Sequence, residues 1–467
     1  MFATDQHSVE CVDPSIRNED YQVKQIIIAG LGSAGYAALS TLKRLGCKDD
    51  ITIIDPKPSD LIHPCGLPYA LEGKADKEHL SQNIGLDRMG IKKISGRIAG
   101  INTGLKTICI DSDSGQITHN YDSLLLCTGS LPVLPPIPHL DRFYNNGIYT
   151  LSRVTDLTAI EASLCKARSA VVIGAGAIGL ECAVALHHRG LSVTVLEMRD
   201  QILPGALDPD MAAIVTDHLS TLGIQIILST AAKGFIDAGS YSGIQTAQGE
   251  IQSDICILAA GFSPNCETAK QSGIETERLG ITVNERLQTS AASVFAAGDC
   301  SVIKSVIDGK PISAKLATSS YRQGVIAAYT ILGMGKKYNG SAGTFASVIG
   351  GLEVAATGFT LSEAQLRGFD PVLAKISSRI CPDYYANDDK ISIKVIADKY
   401  TGRILGAQCV GMNGAAARIN VISTAIEFGA TLDRLESVEL AYCPAISEVY
   451  DPLLRAIDGA QRRIKPR

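Results

Sequence analysis

Residues 25–55, QIIIAGLGSAGYAALSTLKRLGCKDDITIID, decide the fold. The apolar run Ile26 to Ala29 empties into a glycine cluster, a helix-patterned stretch follows to about Leu45, and a second apolar run, Ile51 to Ile54, ends at Asp55. That order predicts a βαβ unit. Gly30, Gly32 and Gly35 hold the GxGxxG spacing. Gly30 permits the tight turn, Gly32 lets backbone approach a pyrophosphate, and Gly35 lets helix and strand pack closely, while the helix N-terminus faces the negative charge. Asp55 is placed to accept hydrogen bonds from a ribose diol, and Ser33, Ala34 and Pro56 complete the expected contact set. A lone GxGxxG is often only a tight turn; strand, helix and terminal acid together make it a dinucleotide site.

The same grammar returns in the middle of the chain. Ala170 to Ile173 reads as a strand, Gly174, Gly176 and Gly179 as the turn with Ile178 beside them, a helix runs to about Arg189, and the strand Ser192 to Leu196 closes at Glu197. A full carboxylate at 197 repels a 2'-phosphate, which favours NADH over NADPH, although Arg199 softens that preference and leaves NADPH possible. Two dinucleotide sites in one chain predict two cofactors that meet, and a tightly held flavin receiving hydride from an exchanging nicotinamide is the economical reading.

Composition bounds the rest. With 467 residues, 46% of them hydrophobic and 19% charged, the chain is expected to form several packed domains and not a disordered polymer. A formal net charge of −5 offers no basic field for nucleic acid. The richest apolar stretch, Ala170 to Leu186, is broken by glycines and Glu181, so no membrane span is expected. Residues 1–22 are polar, lack the basic start and apolar centre of a signal peptide, and read as a mobile extension. The 13 cysteines lie no closer than ten positions apart, which fits neither zinc pairs nor a disulfide scaffold and points to reduced thiols in a cytoplasmic protein. The eight histidines are scattered, and the adjacent His187 and His188 point apart on a helix, so no metal site is expected. Four prolines in residues 131–138 (LPVLPPIP) are expected to stop any regular element and mark a crossing between domains. From about Thr344 the pattern becomes α+β, with a hairpin of Ile391 to Ala397 and Ile404 to Val410.

Two further segments are apolar strands that empty into turns: residues 121–130 (YDSLLLCTGS) into Thr128 and Gly129, and residues 293–300 (SVFAAGDC) into Gly298 and Asp299. In this order they resemble the strand-end motifs of the flavoprotein disulfide reductases with two dinucleotide domains. The resemblance implies that Asp299 bonds the ribityl chain of FAD, and that Thr128, Gly129, Gly261 and Ala317 lie along the cofactors. The helix start at Ala314 to Ala317 is the one that in the family points at the flavin's pyrimidine edge, where its N-terminus stabilises negative charge.

Residues 61–73 (LIHPCGLPYALEG) hold one cysteine, Cys65. The large disulfide reductases have a CxxxxC pair here, whereas Cys-Gly-Leu-Pro-Tyr resembles the single-cysteine branch: coenzyme A disulfide reductases, NADH oxidases and NADH-dependent persulfide or polysulfide reductases. The likeness covers nearly the whole chain after the N-terminal extension. A single thiolate near a flavin can receive two electrons and attack or release an exogenous sulfur, but it makes no local disulfide alone. A small buried cysteine is the bland alternative, and the flanking Pro64, Gly66 and Pro68 are not a packing pattern. Ala34 stands where peroxidase and some oxidase members carry a His, a departure that argues against peroxide reduction. His63 either stabilises the thiolate or, two residues away in an extended segment, shares its face without touching. Glu181 resembles a family carboxylate near the nicotinamide, or is a solvated helix residue.

Residues 383–386 (DYYA) and 441–452 (AYCPAISEVYDP) resemble the places where coenzyme A disulfide reductases supply tyrosines to the opposite subunit. By that likeness Tyr442, and Tyr384 or Tyr385, donate to a sulfur leaving group across the dimer, or are interface tyrosines satisfied by backbone. Cys443, with Pro444, Ser447 and Glu448, stands where glutathione-reductase-like enzymes bring a His base, and it is either a redox partner of Cys65 across subunits or a small interface residue.

The resulting expectation is an α/β protein with two doubly wound, Rossmann-like domains, FAD-binding over 23–150 and 265–338 and NAD(P)H-binding over 151–264, plus a C-terminal α+β dimerisation domain over 339–467. It is read as a cytoplasmic, homodimeric, FAD-dependent NAD(P)H oxidoreductase without a rhodanese-like extension, a nucleic-acid partner or a membrane partner. Its expected substrate is a low-molecular-weight disulfide of coenzyme A type, a persulfide or a polysulfide, reduced through Cys65. The alternatives are an NADH oxidase that cycles Cys65 through a sulfenic acid, and an electron-transfer or redox-sensing flavoprotein without a sulfur substrate.

Overall fold

The computed structural model describes residues 22–464, so the expected mobile extension lies, but for Gln22, outside the described residues. The first βαβ unit forms as read: strand Gln25–Ala29, helix α1 (Ser33–Arg44), strand Asp50–Ile54. The first strand is central in a five-stranded sheet ordered Val294–Ala296, Ser123–Leu126, Gln25–Ala29, Asp50–Ile54, Lys92–Ile94, all parallel. Ile26, Ile27 and Ile28 are at most 1% exposed, which is why this strand is a continuous apolar run and not an alternating one. After Asp50–Ile54 the chain forms helix α2 (Leu67–Glu72).

A second all-parallel sheet is ordered Ile148–Tyr149, Ile255–Leu258, Ser169–Ile173, Ser192–Leu196, Gln225–Ile227, with helix α3 (Ala177–His188) after its glycine turn. The first sheet is completed only after this one, by Val294–Ala296, and helix α4 (Ala317–Ile331) follows. The proline-rich crossing departs from expectation. Ser130–Pro132 is a strand, paired antiparallel with Phe262–Pro264 on the return journey. In a two-stranded ribbon each strand keeps one outer edge, so a proline lacking its N–H is tolerated there.

The C-terminal sheet is antiparallel, ordered Phe345–Ile349, Leu352–Gly358, Ile404–Gly411, Lys390–Asp398, Pro371–Arg379. The expected hairpin is present, with Ile393 opposite Cys409, and helix α5 (Ala415–Glu427) packs against the sheet. The architecture is a mixed α/β fold with two Rossmann-like sheets. Among the described residues no helix is long and apolar enough to cross a membrane.

Candidate active site

The two glycine turns share one geometry. An ideal Cβ on Gly30 or Gly174, both near φ +100°, would fall 2.2 or 2.3 Å from the carbonyl oxygen of Cys127 or Ala259, so no other residue fits. On Gly32 and Gly176 it would meet nothing within 4 Å. Each turn is therefore an open cradle at a helix start, and no side chain caps the first turn of α1 or α3. Uncapped amides beside an open backbone are the donor set a pyrophosphate requires, so the cradles fit the two dinucleotides. Ser33, Gly176 and Ile178 are exposed on these cradles, and so is Pro56 beyond Asp55.

The strand-end acids do more than expected. Asp55 is 2% exposed and accepts from the Leu31 amide at 2.6 Å, from the Lys57 amide at 2.9 Å and from Lys57 Nζ at 2.7 Å. Glu197 likewise accepts from the Ala175 and Arg199 amides, both at 2.8 Å. Both carboxylates staple the glycine turns shut behind the cradles. Lys57 was not singled out in the sequence, although its position two residues after the acid mirrors that of Arg199.

Asp299 is pinned by two hydroxyls, Ser130 Oγ at 2.9 Å and Ser320 Oγ at 3.0 Å. The Gly298 amide beside it donates to Gln323 Oε1 at 2.8 Å. Lys315, whose Nζ donates to the Phe262 carbonyl, has its ammonium pushed down by burial, with the charge of Asp299 opposing. Thr128 uses its hydroxyl to tie the crossing segments, donating to the Asn265 carbonyl at 2.6 Å, while Gly129 and Gly261 turn with positive φ on either side. Ala34 is 4% exposed against Gly298 and Gly324, whose added Cβ would fall 2.0 Å from the Ala34 carbonyl oxygen. Helices α1 and α4 cross there at backbone contact.

Cys65 does not lie in an extended segment. Only Leu61–Ile62 is strand; Pro64–Gly66 is a 3₁₀ turn that leads directly into α2. Pro64 and Pro68 each sit at the start of a helical turn, where a fixed φ and a missing N–H favour helix. His63 is thus the exposed cap of that turn and not an alternating neighbour of the thiol. Helical spacing instead places Tyr69 one turn beyond Cys65. Its role was missed because the segment was read as extended.

Cys65 is exposed and lines a groove of about 1000 Å3 that also takes in Ala317, Arg322, Lys336, Lys337 and Phe345. The groove walls are close enough that burial is the largest influence on its thiol, pushing it up, followed by the carboxylates of Glu181 and Asp299. Glu181 is not a solvated helix residue. It is half-buried on α3 and accepts from Ser347 Oγ at 2.6 Å; burial pushes its carboxyl up and the serine opposes. Burial and then Glu181 also raise the Tyr69 phenol. Cys65 and Tyr69 are thus both within the electrostatic reach of Glu181, Cys65 is also within that of Asp299, and the start of α4 lines the same groove as Cys65. The N-terminus of α4 has no side-chain cap and offers positive potential at the groove.

Tyr384, Tyr442 and Cys443 form a separate exposed patch, and none of them lines the groove. Tyr384 is the tyrosine that meets Tyr442, hydroxyl to hydroxyl at 2.8 Å; Tyr385 bonds through its backbone, donating its amide to the Pro382 carbonyl and accepting from the Asn387 amide. The Tyr384 bond, foremost, pushes the Tyr442 phenol up to about 12. The Cys443 carbonyl accepts from the amides of Ile446 and Ser447, and Ser447 Oγ donates to Asp451 at 2.5 Å. Buried Arg418 holds both oxygens of Asp451, at 2.9 and 2.7 Å. Ile446 and Val449 are 67% and 73% exposed nearby.

Comparison with known proteins places the chain in a family. Residues 24–324 match the family described as pyridine nucleotide-disulphide oxidoreductase, and residues 344–453 match its dimerisation domain. An NADH oxidase of Methanocaldococcus jannaschii is 33% identical over 448 residues, 94% of this chain and 99% of that protein. A CoA-dependent NAD(P)H sulfur oxidoreductase of Pyrococcus furiosus is 31% identical over 92% of this chain and 98% of its own length. Among solved structures, an NAD-dependent persulfide reductase from A. fulgidus superposes with a TM-score of 0.90 at 30% identity, covering 94% of this chain and 83% of that one. Fold and site thus define an FAD-dependent NAD(P)H oxidoreductase. The chain belongs to the pyridine nucleotide-disulphide oxidoreductase family, and its C-terminal sheet is that family's dimerisation domain.

Proposed function

We propose that this enzyme reduces a low-molecular-weight disulfide of coenzyme A type, a persulfide or a polysulfide, with Cys65 as the single redox thiol. The observation that carries this reading is the exposed Cys65 thiol in a groove whose lining includes the cations Arg322, Lys336 and Lys337, a lining suited to a thiol substrate that carries anionic groups. The thiolate of Cys65 attacks one sulfur of the substrate; the S–S bond breaks, a mixed disulfide forms and the departing thiolate takes up a proton. Bound FAD and reduced nicotinamide supply the electron pair that returns Cys65 to the thiolate and frees the second thiol. Gly30, Gly32, Ser33, Gly35, Asp55 and Asp299 hold the flavin nucleotide, with Thr128, Gly129 and Ala317 alongside. Gly174, Gly176, Gly179, Glu181, Glu197 and Gly261 serve the nicotinamide, and the Glu197 carboxylate favours NADH.

The active form is a homodimer in the cytoplasm. Tyr442, Tyr384 and Cys443 face the partner subunit's site, where a phenol donates to the leaving sulfur. The test is anaerobic reduction of the holoenzyme with NADH, followed by a panel of coenzyme A disulfide, glutathione disulfide, cystine and polysulfide while the flavin spectrum is watched. Fast return with a sulfur substrate, abolished by Cys65→Ser, supports the reading. Likeness to a named NADH oxidase keeps a second reading in view. Return that is as fast with oxygen alone as with any disulfide would decide for that one.

A further inference from the structure

Helix α2 begins just after Cys65, yet it is built into a distant part of the chain. Leu67, Ala70 and Leu71 join the hydrophobic core around the second sheet, with Val172, Leu180 and Val184, and not the core of the sheet that precedes α2 in sequence. Polar contacts fix the same union at the far end of the helix. Glu72 Oε1 meets His188 Nδ1 at 2.5 Å and Lys74 Nζ at 2.6 Å, and the Glu72 side chain is only 7% exposed. Arg189, the residue after α3, donates from Nε to the Leu71 carbonyl at 2.8 Å, satisfying an acceptor that the end of α2 leaves open. Lys77, five residues past α2, meets Glu161 at 2.7 Å. The two helices thus run side by side, Cys65 and Tyr69 toward Glu181 at one end, Leu71 and Glu72 toward Arg189 and His188 at the other.

We propose that Glu72, His188 and Arg189 are positioning residues for Cys65: they bolt α2 to α3, so that the nicotinamide-binding unit sets where the thiol stands. This rests on Cys65 being the redox thiol. A helix of six residues does not hold its own orientation, and its place is decided by what it packs on. It is a lever about 9 Å long, so a small rotation at the bolted end moves the thiol by about an ångström, enough to spoil a reacting geometry.

The test compares the two half-reactions of the holoenzyme in His188→Ala/Arg189→Ala. Bleaching of the flavin by NADH keeps its rate, because the glycine cradle at the other end of α3 is untouched. Reoxidation by the best disulfide from the panel falls about tenfold or more, and His188→Gln/Arg189→Lys, which retains both donors, recovers to within about threefold. If the double alanine variant does not fold, Arg189→Met carries the same comparison. Unchanged reoxidation in a chain whose Cys65→Ser counterpart is inactive overturns the proposal, and so does an equal fall in both half-reactions. Undiminished disulfide turnover by Cys65→Ser means instead that the reading of Cys65 itself has failed.

Discussion

Cys65 has negative neighbours. Burial, then Glu181 and Asp299, raise its thiol, and a backbone hydrogen bond at Cys65 opposes them. Removing one carboxylate therefore favours the thiolate. In Glu181→Gln the pH midpoint for alkylation of Cys65 by iodoacetamide moves to lower pH, read by mass spectrometry of the Cys65 peptide; a midpoint that stays put or rises contradicts the electrostatic account. Cys65→Ser keeps flavin bleaching by NADH and loses disulfide turnover, which steady-state and single-turnover rates separate. Much of this site was legible. Cys65, Glu181 and Asp299 stand in recognisable sequence surroundings. Ser347 was not legible: it lies 166 positions from the carboxyl it serves, and nothing local in a strand serine announces such a contact. Tyr69 was within sight but mispositioned, because the segment around Cys65 reads as extended, whereas Pro64 and Pro68 each begin a helical turn.

Helices and strands were easier to foresee than their meetings. Both βαβ units follow from unbroken apolar runs and glycine spacing, local signals that the tertiary structure does not override. The crossing of α1 over α4 depends on Gly324, whose partner is Ala34 in a different segment, and pattern reading has no access to it. Gly324→Ala places a methyl 2.0 Å from a backbone oxygen that cannot move aside without shifting α1. The expected cost is about 2 kcal/mol or more in denaturant unfolding, with weaker flavin retention. Gly335→Ala, whose added Cβ would meet nothing within 4 Å, is the control and stays near neutral. Equal losses in the two variants would remove the argument for a tight crossing.

Across the whole molecule, the segment of the dimerisation domain that ends at Asp451 is held by a buried ion pair with Arg418. Burial acts to raise the Asp451 carboxyl, but hydrogen bonds from Arg418 and Ser447 outweigh it and hold the group below its ordinary range. Its stabilising contribution is complete above the ordinary carboxylate range and is lost as pH falls through the lowered value, so acid loosens this anchor. Asp451→Asn leaves the Arg418 charge buried without its counter-ion, at a cost of about 3 kcal/mol, and sedimentation should show weakened association of subunits. A dimer as stable as the parent at neutral pH would exclude this role.

The antiparallel pairing of Ser130–Pro132 with Phe262–Pro264 means that the chain leaves the first sheet and re-enters it through the same doorway. The intervening stretch is therefore moored by a double cord. A protease that severs one cord leaves the other tied, so a singly nicked molecule stays assembled and comes apart only when denatured.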